Sequence, residues 1–140
     1  MESYIFFDHT ADLEYEAYGA TFGEALQNAA LAMFFVMADV RKLRASKKAR
    51  IETRAKTVEE IAGYTLGNAL SESAAREVFF KKLEITRFGK DRKGYFLKAT
   101  ATGQAMSPKL GKLDIKAVTM HGIRVACEGG RWKIRIILDI

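Results

Sequence analysis

Apolar and polar positions follow two different periods along this chain, and the switches between them predict its elements. Leu13, Tyr15 and Ala17 alternate with Glu14, Glu16 and Tyr18, the period of a half-buried strand that Gly19 ends. A short apolar strand, Ser3 to Phe7, precedes it across the polar loop Asp8-His9-Thr10-Ala11-Asp12. The period then lengthens. Thr21 with Glu24 forms a capping box, and Leu26, Ala30, Met33 and Met37 recur at helical spacing, so a helix is expected to about Asp39. Its Met and Phe residues read as core rather than as a cofactor pocket.

The basic stretch after Asp39 reads as a loop and Ala49 to Ala55 as a strand. Thr57 with Glu60 repeats the capping box and opens a second helix, Val58 to Ser73, which Gly63 and Gly67 weaken by up to about 1 kcal/mol each relative to Ala. Four strands follow: Glu77 to Phe88, Gly94 to Gln104, Ile115 to Cys127 and Arg131 to Leu138. Gly89 through Lys93 and Glu128-Gly129-Gly130 are their hairpin turns, and Ser107 to Leu113 is a longer loop. The order β-β-α-β-α-β-β-β-β describes an α+β fold, antiparallel β-sheets with two helices in a single compact domain over residues 1–140. Strand-strand-helix followed by strand-helix-strand-strand also hints at two similar halves, without a clear sequence repeat.

Composition narrows the class. The chain has 140 residues, 49% of them hydrophobic and 29% charged, as expected of an ordinary globular domain. No apolar run approaches the roughly 18 residues of a membrane span, and Met1-Glu2-Ser3-Tyr4 lacks a basic start leading into an apolar stretch, so the expected address is cytoplasmic. Cys127 is the only cysteine. It excludes an intrachain disulfide and a Cys-based zinc site, and beside a turn it reads as a small core residue rather than a nucleophile. The net charge of +6 gathers in Arg41 to Lys48, Lys81-Lys82 and Arg87 to Lys93. It suits either RNA as an acidic partner or a heat-stable, ion-paired surface.

Asp8, His9 and Asp12 lie within five residues. Oxygen ligands so close suit a hard cation, but two aspartates leave most of its six or more positions unfilled. The other end of the sequence offers more. In the last strand Trp132, Ile134, Ile136 and Leu138 share one face, Asp139 falls on the other, and Ile140 brings a terminal carboxylate. On pattern alone, turn caps at Asp8 and Asp12 and a solvated Asp139 are the stronger reading. His121, alone on a strand, reads first as a hydrogen-bonded core residue. Phosphate-cradling, nucleophile-elbow and HExxH motifs are absent from the sequence.

Phe6-Phe7-Asp8-His9-Thr10-Ala11-Asp12 with Ala17-Tyr18-Gly19, then Ala25 through Met37, then Lys116-Ala117-Val118-Thr119-Met120-His121 and the closing Leu138-Asp139-Ile140 together resemble the archease family over the whole chain. The resemblance implies a non-catalytic, chaperone-like accessory factor of the tRNA-splicing RNA ligase, one that promotes ligase guanylylation and turnover in tRNA splicing. It implies Asp12, Asp139 and Ile140 as metal ligands, for Ca²⁺ first with Mg²⁺ or Mn²⁺ as alternatives. Lys116 is implied as a contact to the ligase or its phosphates, and Asp8, His9 and His121 as residues behind the ligands. The second helix departs from the family pattern, since it lacks a tryptophan and an acidic turn after it, so the docking surface stays open. Two rival functions are a small metal-dependent phosphohydrolase or nuclease using the same carboxylates, and a basic RNA-binding module acting through Arg41 to Lys48 and Lys81-Lys82.

Overall fold

A computed structural model describes residues 2–7 and 12–140. Its elements run β1 (Tyr4–Phe7), β2 (Asp12–Gly19), α1 (Phe22–Met37), β3 (Lys47–Ala55), α2 (Val58–Arg76), β4 (Val78–Asp91), β5 (Gly94–Ala105), β6 (Ala117–Glu128) and β7 (Arg131–Asp139). The strands form two antiparallel sheets, ordered β1-β2-β7-β6 and β3-β5-β4. The first sheet therefore takes its strands from both ends of the chain and the second from the middle, an arrangement unlike two sequential halves. The α+β class and the order of elements agree with the sequence reading.

Each helix touches both sheets. α1 packs on β2 and β7 of one and β4 of the other, while α2 packs on β3, β4 and β5 of one and β6 of the other. A helix held between two sheets must be apolar on two sides. α1 meets that demand with small Ala25, Ala29 and Ala32 and large Leu26, Met33 and Phe34, all buried. The inward residues Ile134, Ile136 and Leu138 of β7 are fully buried, as the two-residue period predicts. Tyr15 of β2 is buried with them, and its hydroxyl donates to the Ala29 carbonyl at 2.7 Å.

Local chemistry sets the element ends. Thr57 Oγ1 accepts from the Glu60 amide at 3.1 Å while Glu60 Oε1 accepts from the Thr57 amide at 3.2 Å, closing the capping box that starts α2. The helix runs past Ser73 to Arg76, because Ser73 Oγ donates to the Val78 carbonyl at 2.6 Å and the left-handed turn comes only at Glu77, φ 54°. α1 stops at Met37, short of Asp39, where Ala38 bridges to Gly111. Val40–Lys42, expected as loop, forms a turn of 3₁₀ helix.

The two α2 glycines differ in their surroundings. A Cβ at Gly63 would meet Ile123 Cδ1 at 2.6 Å and the thioether of Met120, so this residue lets α2 approach β6 closely. A Cβ at Gly67 would meet nothing within 4 Å. Gly67→Ala is therefore expected to stabilise the protein by about 0.5–1 kcal/mol, the propensity difference between the two residues. Urea unfolding measures this as a raised midpoint with an unchanged slope. A lowered midpoint would show that the site holds a constraint beyond helix propensity.

Candidate functional site

The register between β2 and β7 pairs Asp12 directly with Asp139, then Leu13 with Leu138 and Glu14 with Ile137. Asp139 is in turn opposite Ala117 of β6, and the Lys116 amide donates to the Asp139 carbonyl at 2.8 Å. The first residue of β2, the last of β7 and the first of β6 thus make one row at the end of the sheet. Alternation puts Asp12, Glu14 and Glu16 on the face turned away from the helices, since Leu13, Tyr15 and Ala17 face inward. Asp139, Ile137 and Arg135 share that outer face.

Behind the aspartate row runs a linked set of polar side chains. Arg135 binds Glu14 through both its Nε and its terminal guanidinium nitrogen, and lies 3.7 Å from the Glu16 carboxylate. Its guanidinium carbon sits 4.7 Å from the centre of the Phe7 ring. Tyr18 continues the line by donating from its hydroxyl to Glu16 Oε1 at 2.8 Å, with the Arg131 guanidinium 3.9 Å from its ring centre. Burial, and then the bond to the Glu16 carboxylate, push the Tyr18 phenol up to about 12. Charge-assisted bonds between β2 and β7 fasten the two strands in the register that opposes the aspartates.

Sequence reasoning assigned Glu14 simply to the polar face of its strand. In the structure it is 6% exposed and salt-bridged. The signal that marks it is the facing of Glu14 and Glu16 in one strand by Arg135 in another, which becomes readable only once the two strands are known to pair.

The other expected residues are placed as follows. Ile140 follows Asp139 directly and is exposed, and the exposed Lys116 flanks the row through its amide. His121 is exposed in an irregular part of β6, between Thr119 and Arg124, where the pairing with β7 shifts. Four residues of strand, about 13 Å, separate it from Ala117. The ladder therefore does not bring it to the aspartates, and its exposure replaces the core position read from the sequence. Cys127, also expected in the core, is exposed on the edge strand β6. Ile123 and Val125 of the same strand turn toward the protein interior, but β6 runs on beyond that covering layer. Asp8 and His9 lie outside the described residues.

Among the described residues no group of three or more His, Cys, Asp or Glu side chains converges on a point. What the sheet end offers is a facing pair of carboxylates flanked by main-chain oxygens, a donor set made wholly of hard oxygen. In the basic stretches, Lys81 donates from Nζ to the Leu43 carbonyl at 2.8 Å, and Lys42 lies 3.7 Å from Asp39. Part of that charge is used to tie the loop down. No helix of the described chain is long and apolar enough to cross a membrane.

Comparison with known proteins covers the whole chain. The model of the archease protein family matches residues 4–140. Protein archease of Methanosarcina mazei is 30% identical over 99% of this chain and 97% of its own length. The corresponding protein of Methanothermobacter thermautotrophicus is 34% identical over the full length of both. The solution structure of a Methanobacterium thermoautotrophicum protein superimposes with a TM-score of 0.87 at 32% identity over all of both chains. The crystal structure of an archease, possible chaperone, from Thermotoga maritima shares the fold with a TM-score of 0.63 at 19% identity, covering 96% of this chain and 94% of that one.

Proposed function

The chain belongs to the archease family, and on that premise we propose that it is a metal-binding accessory protein that activates the tRNA-splicing RNA ligase. The observation that carries this reading is the pairing of Asp12 with Asp139. Directly opposed residues have Cβ atoms about 4.5–5.5 Å apart, and Ca²⁺ takes oxygens at about 2.3–2.6 Å. Two such carboxylates would be close enough to hold a single ion between them. Ile140 would add a main-chain oxygen, and water or oxygens of the ligase would fill the remaining positions. An all-oxygen donor set fits Ca²⁺, Mg²⁺ or Mn²⁺ and disfavours ions that seek thiolate or imidazole.

The protein's own residues hold the ligands ready. The Glu14–Arg135–Glu16 contacts keep β2 and β7 in register, and the Lys116 amide fixes the main chain at Asp139. Both aspartates are thereby carried on paired strands at a sheet end that a partner can approach, and the exposed Lys116, next in sequence to Ala117 of that row, is the cation assigned to meet a phosphate. A cation bound there supplies neutralisation of the negative charge that develops in phosphoryl transfer. On this reading the guanylylated protein is the ligase, so this chain acts without turning over substrate itself. The description of the Thermotoga maritima protein as a possible chaperone agrees with an accessory role.

A guanylylation assay with purified ligase and limiting divalent cation tests the proposal. The wild-type chain, present below the ligase concentration, is expected to raise the rate of guanylylation and to support multiple rounds of joining, while folded Asp12→Ala does neither. Activation by Asp12→Ala at the wild-type level would overturn the metal-dependent part. Hydrolysis of model phosphate esters by the chain alone, lost in the same variant, would favour the hydrolase reading instead.

A further inference from the structure

The sheet opposite the candidate metal row carries a second, chemically different surface. In β3-β5-β4 the inward residues Ile51, Leu97, Ala99, Phe80 and Leu83 are buried, and both helices pack on that side: Thr65 of α2 bonds Thr53 at 2.9 Å, and Phe34 of α1 lies 5.7 Å from the Phe80 ring. The other face is basic. Lys48, Arg50 and Arg54 of β3, Lys98 of β5, and Lys82 and Arg87 of β4 are exposed, against Glu52, Glu84 and Asp91.

This face also holds an aromatic group in an unusual setting. Phe96 of β5 stands between Arg54 and Gly89 in the register of the three strands. Its ring lies across Gly89, where a Cβ would come within 2.7 Å of Phe96 Cζ, so the glycine makes room for it. The guanidinium carbons of Arg54 and Arg87, one from each neighbouring strand, sit 5.5 and 5.2 Å from the ring centre. Arg54 is held in place by two bonds to Asp91, at 2.9 and 3.3 Å, while Arg87 lies over the same ring.

We infer that the outer face of this sheet binds single-stranded RNA. Lys48 and Arg50 stand two residues apart on β3, about 6.6–6.8 Å along the strand, and Lys82 lies across the sheet from Lys48 with Thr102 between them, a spacing that lets these side chains follow the phosphates of an extended strand. A half-buried ring flanked by planar guanidinium groups offers unpaired bases a stacking surface, which is tolerant of sequence. An acidic protein would be met by the charge but not by the ring, and a duplex would present phosphates without free bases. The surface gathers Lys48, Lys82 and Arg87 from the basic stretches marked in the sequence and adds Arg50, Arg54 and Lys98, of which Arg54 is paired with Asp91 and Lys98 lies 3.9 Å from Glu52. The choice of RNA over DNA rests on the proposed ligase role, whereas binding at this face does not.

Fluorescence anisotropy with a labelled RNA of about a dozen nucleotides tests this without ligase or metal, so that its failure is distinct from failure of the activation assay. The wild-type chain is expected to bind with an affinity that falls as salt rises. Arg50→Glu combined with Arg87→Glu should weaken binding at least tenfold and flatten the salt dependence. Phe96→Leu, which keeps an apolar group over Gly89, should weaken binding several-fold with the salt slope unchanged. Each variant is paired with a thermal melt to establish that it is folded. Absent binding, equal binding by the folded variants, equal affinity for duplex RNA, or equal affinity for poly-glutamate would each overturn the inference, the last in favour of an acidic protein.

Discussion

Replacing Asp139 with asparagine is expected to raise stability slightly without divalent cations and to lower it relative to wild type when they are present. Two carboxylates directly opposite one another on paired strands repel, at a cost of about 0.2–1 kcal/mol, and Asp12 and Asp139 are so opposed. Removing one charge relieves that cost. A cation shared by the pair reverses the balance, because a ligand that binds only the folded state stabilises by about 2.7 kcal/mol at a hundred times its dissociation constant. The variant, left with a single carboxylate, forfeits most of this, and its affinity should fall at least about 100-fold, as expected when even a supporting group of a metal site is lost. Melts of both proteins in chelator and in Ca²⁺, Mg²⁺ or Mn²⁺ should therefore cross. Parallel responses would mean that the pair does not share an ion.

Gly103→Ala is expected to destabilise the protein by about 3 kcal/mol or more, at the upper end of overpacking effects. Gly103 lies on β5, the central strand of its sheet. A Cβ there would run into the Phe79 carbonyl oxygen and come within 2.7 Å of both the Phe79 carbonyl carbon and Phe80 Cα. These are main-chain atoms of β4 just before its pairing with β5 shifts between Phe80 and Lys82, so they cannot swing aside as a side-chain tip would. Relief requires β4 to leave the ladder and carry buried Phe80 with it. Urea unfolding should show a lowered midpoint, in contrast to the raised one for Gly67→Ala. A midpoint within about 0.5 kcal/mol of wild type, the spread of ordinary surface changes, would show that the sheet yields there.

Local patterning made the elements legible. The alternation in β2 and β7 and the capping box of α2 each name their residues without tertiary knowledge, and their boundaries hold to within a few positions. Features set by packing were less readable. α1 is buried on two sides because sheets lie on both, and nothing in its sequence says where the second one comes from. The exposure of Cys127 depends on how far β6 outruns its covering layer. For the site, the two aspartates are visible as acidic residues at strand ends, but their facing is a consequence of β2–β7 pairing across most of the chain. The Glu14–Arg135 link is invisible until that pairing is known. The Phe96 platform is hidden for the same reason, since Arg54, Phe96 and Arg87 belong to three strands.

The most direct test of the central claim is a Mn²⁺ titration of ¹⁵N-labelled protein followed by paramagnetic broadening of its amide resonances. The proposal predicts that loss of signal begins at Asp12, Ala117, Asp139 and Ile140 together and disappears in Asp139→Asn. Broadening that starts elsewhere on the molecule, or that persists unchanged in the variant, would contradict it.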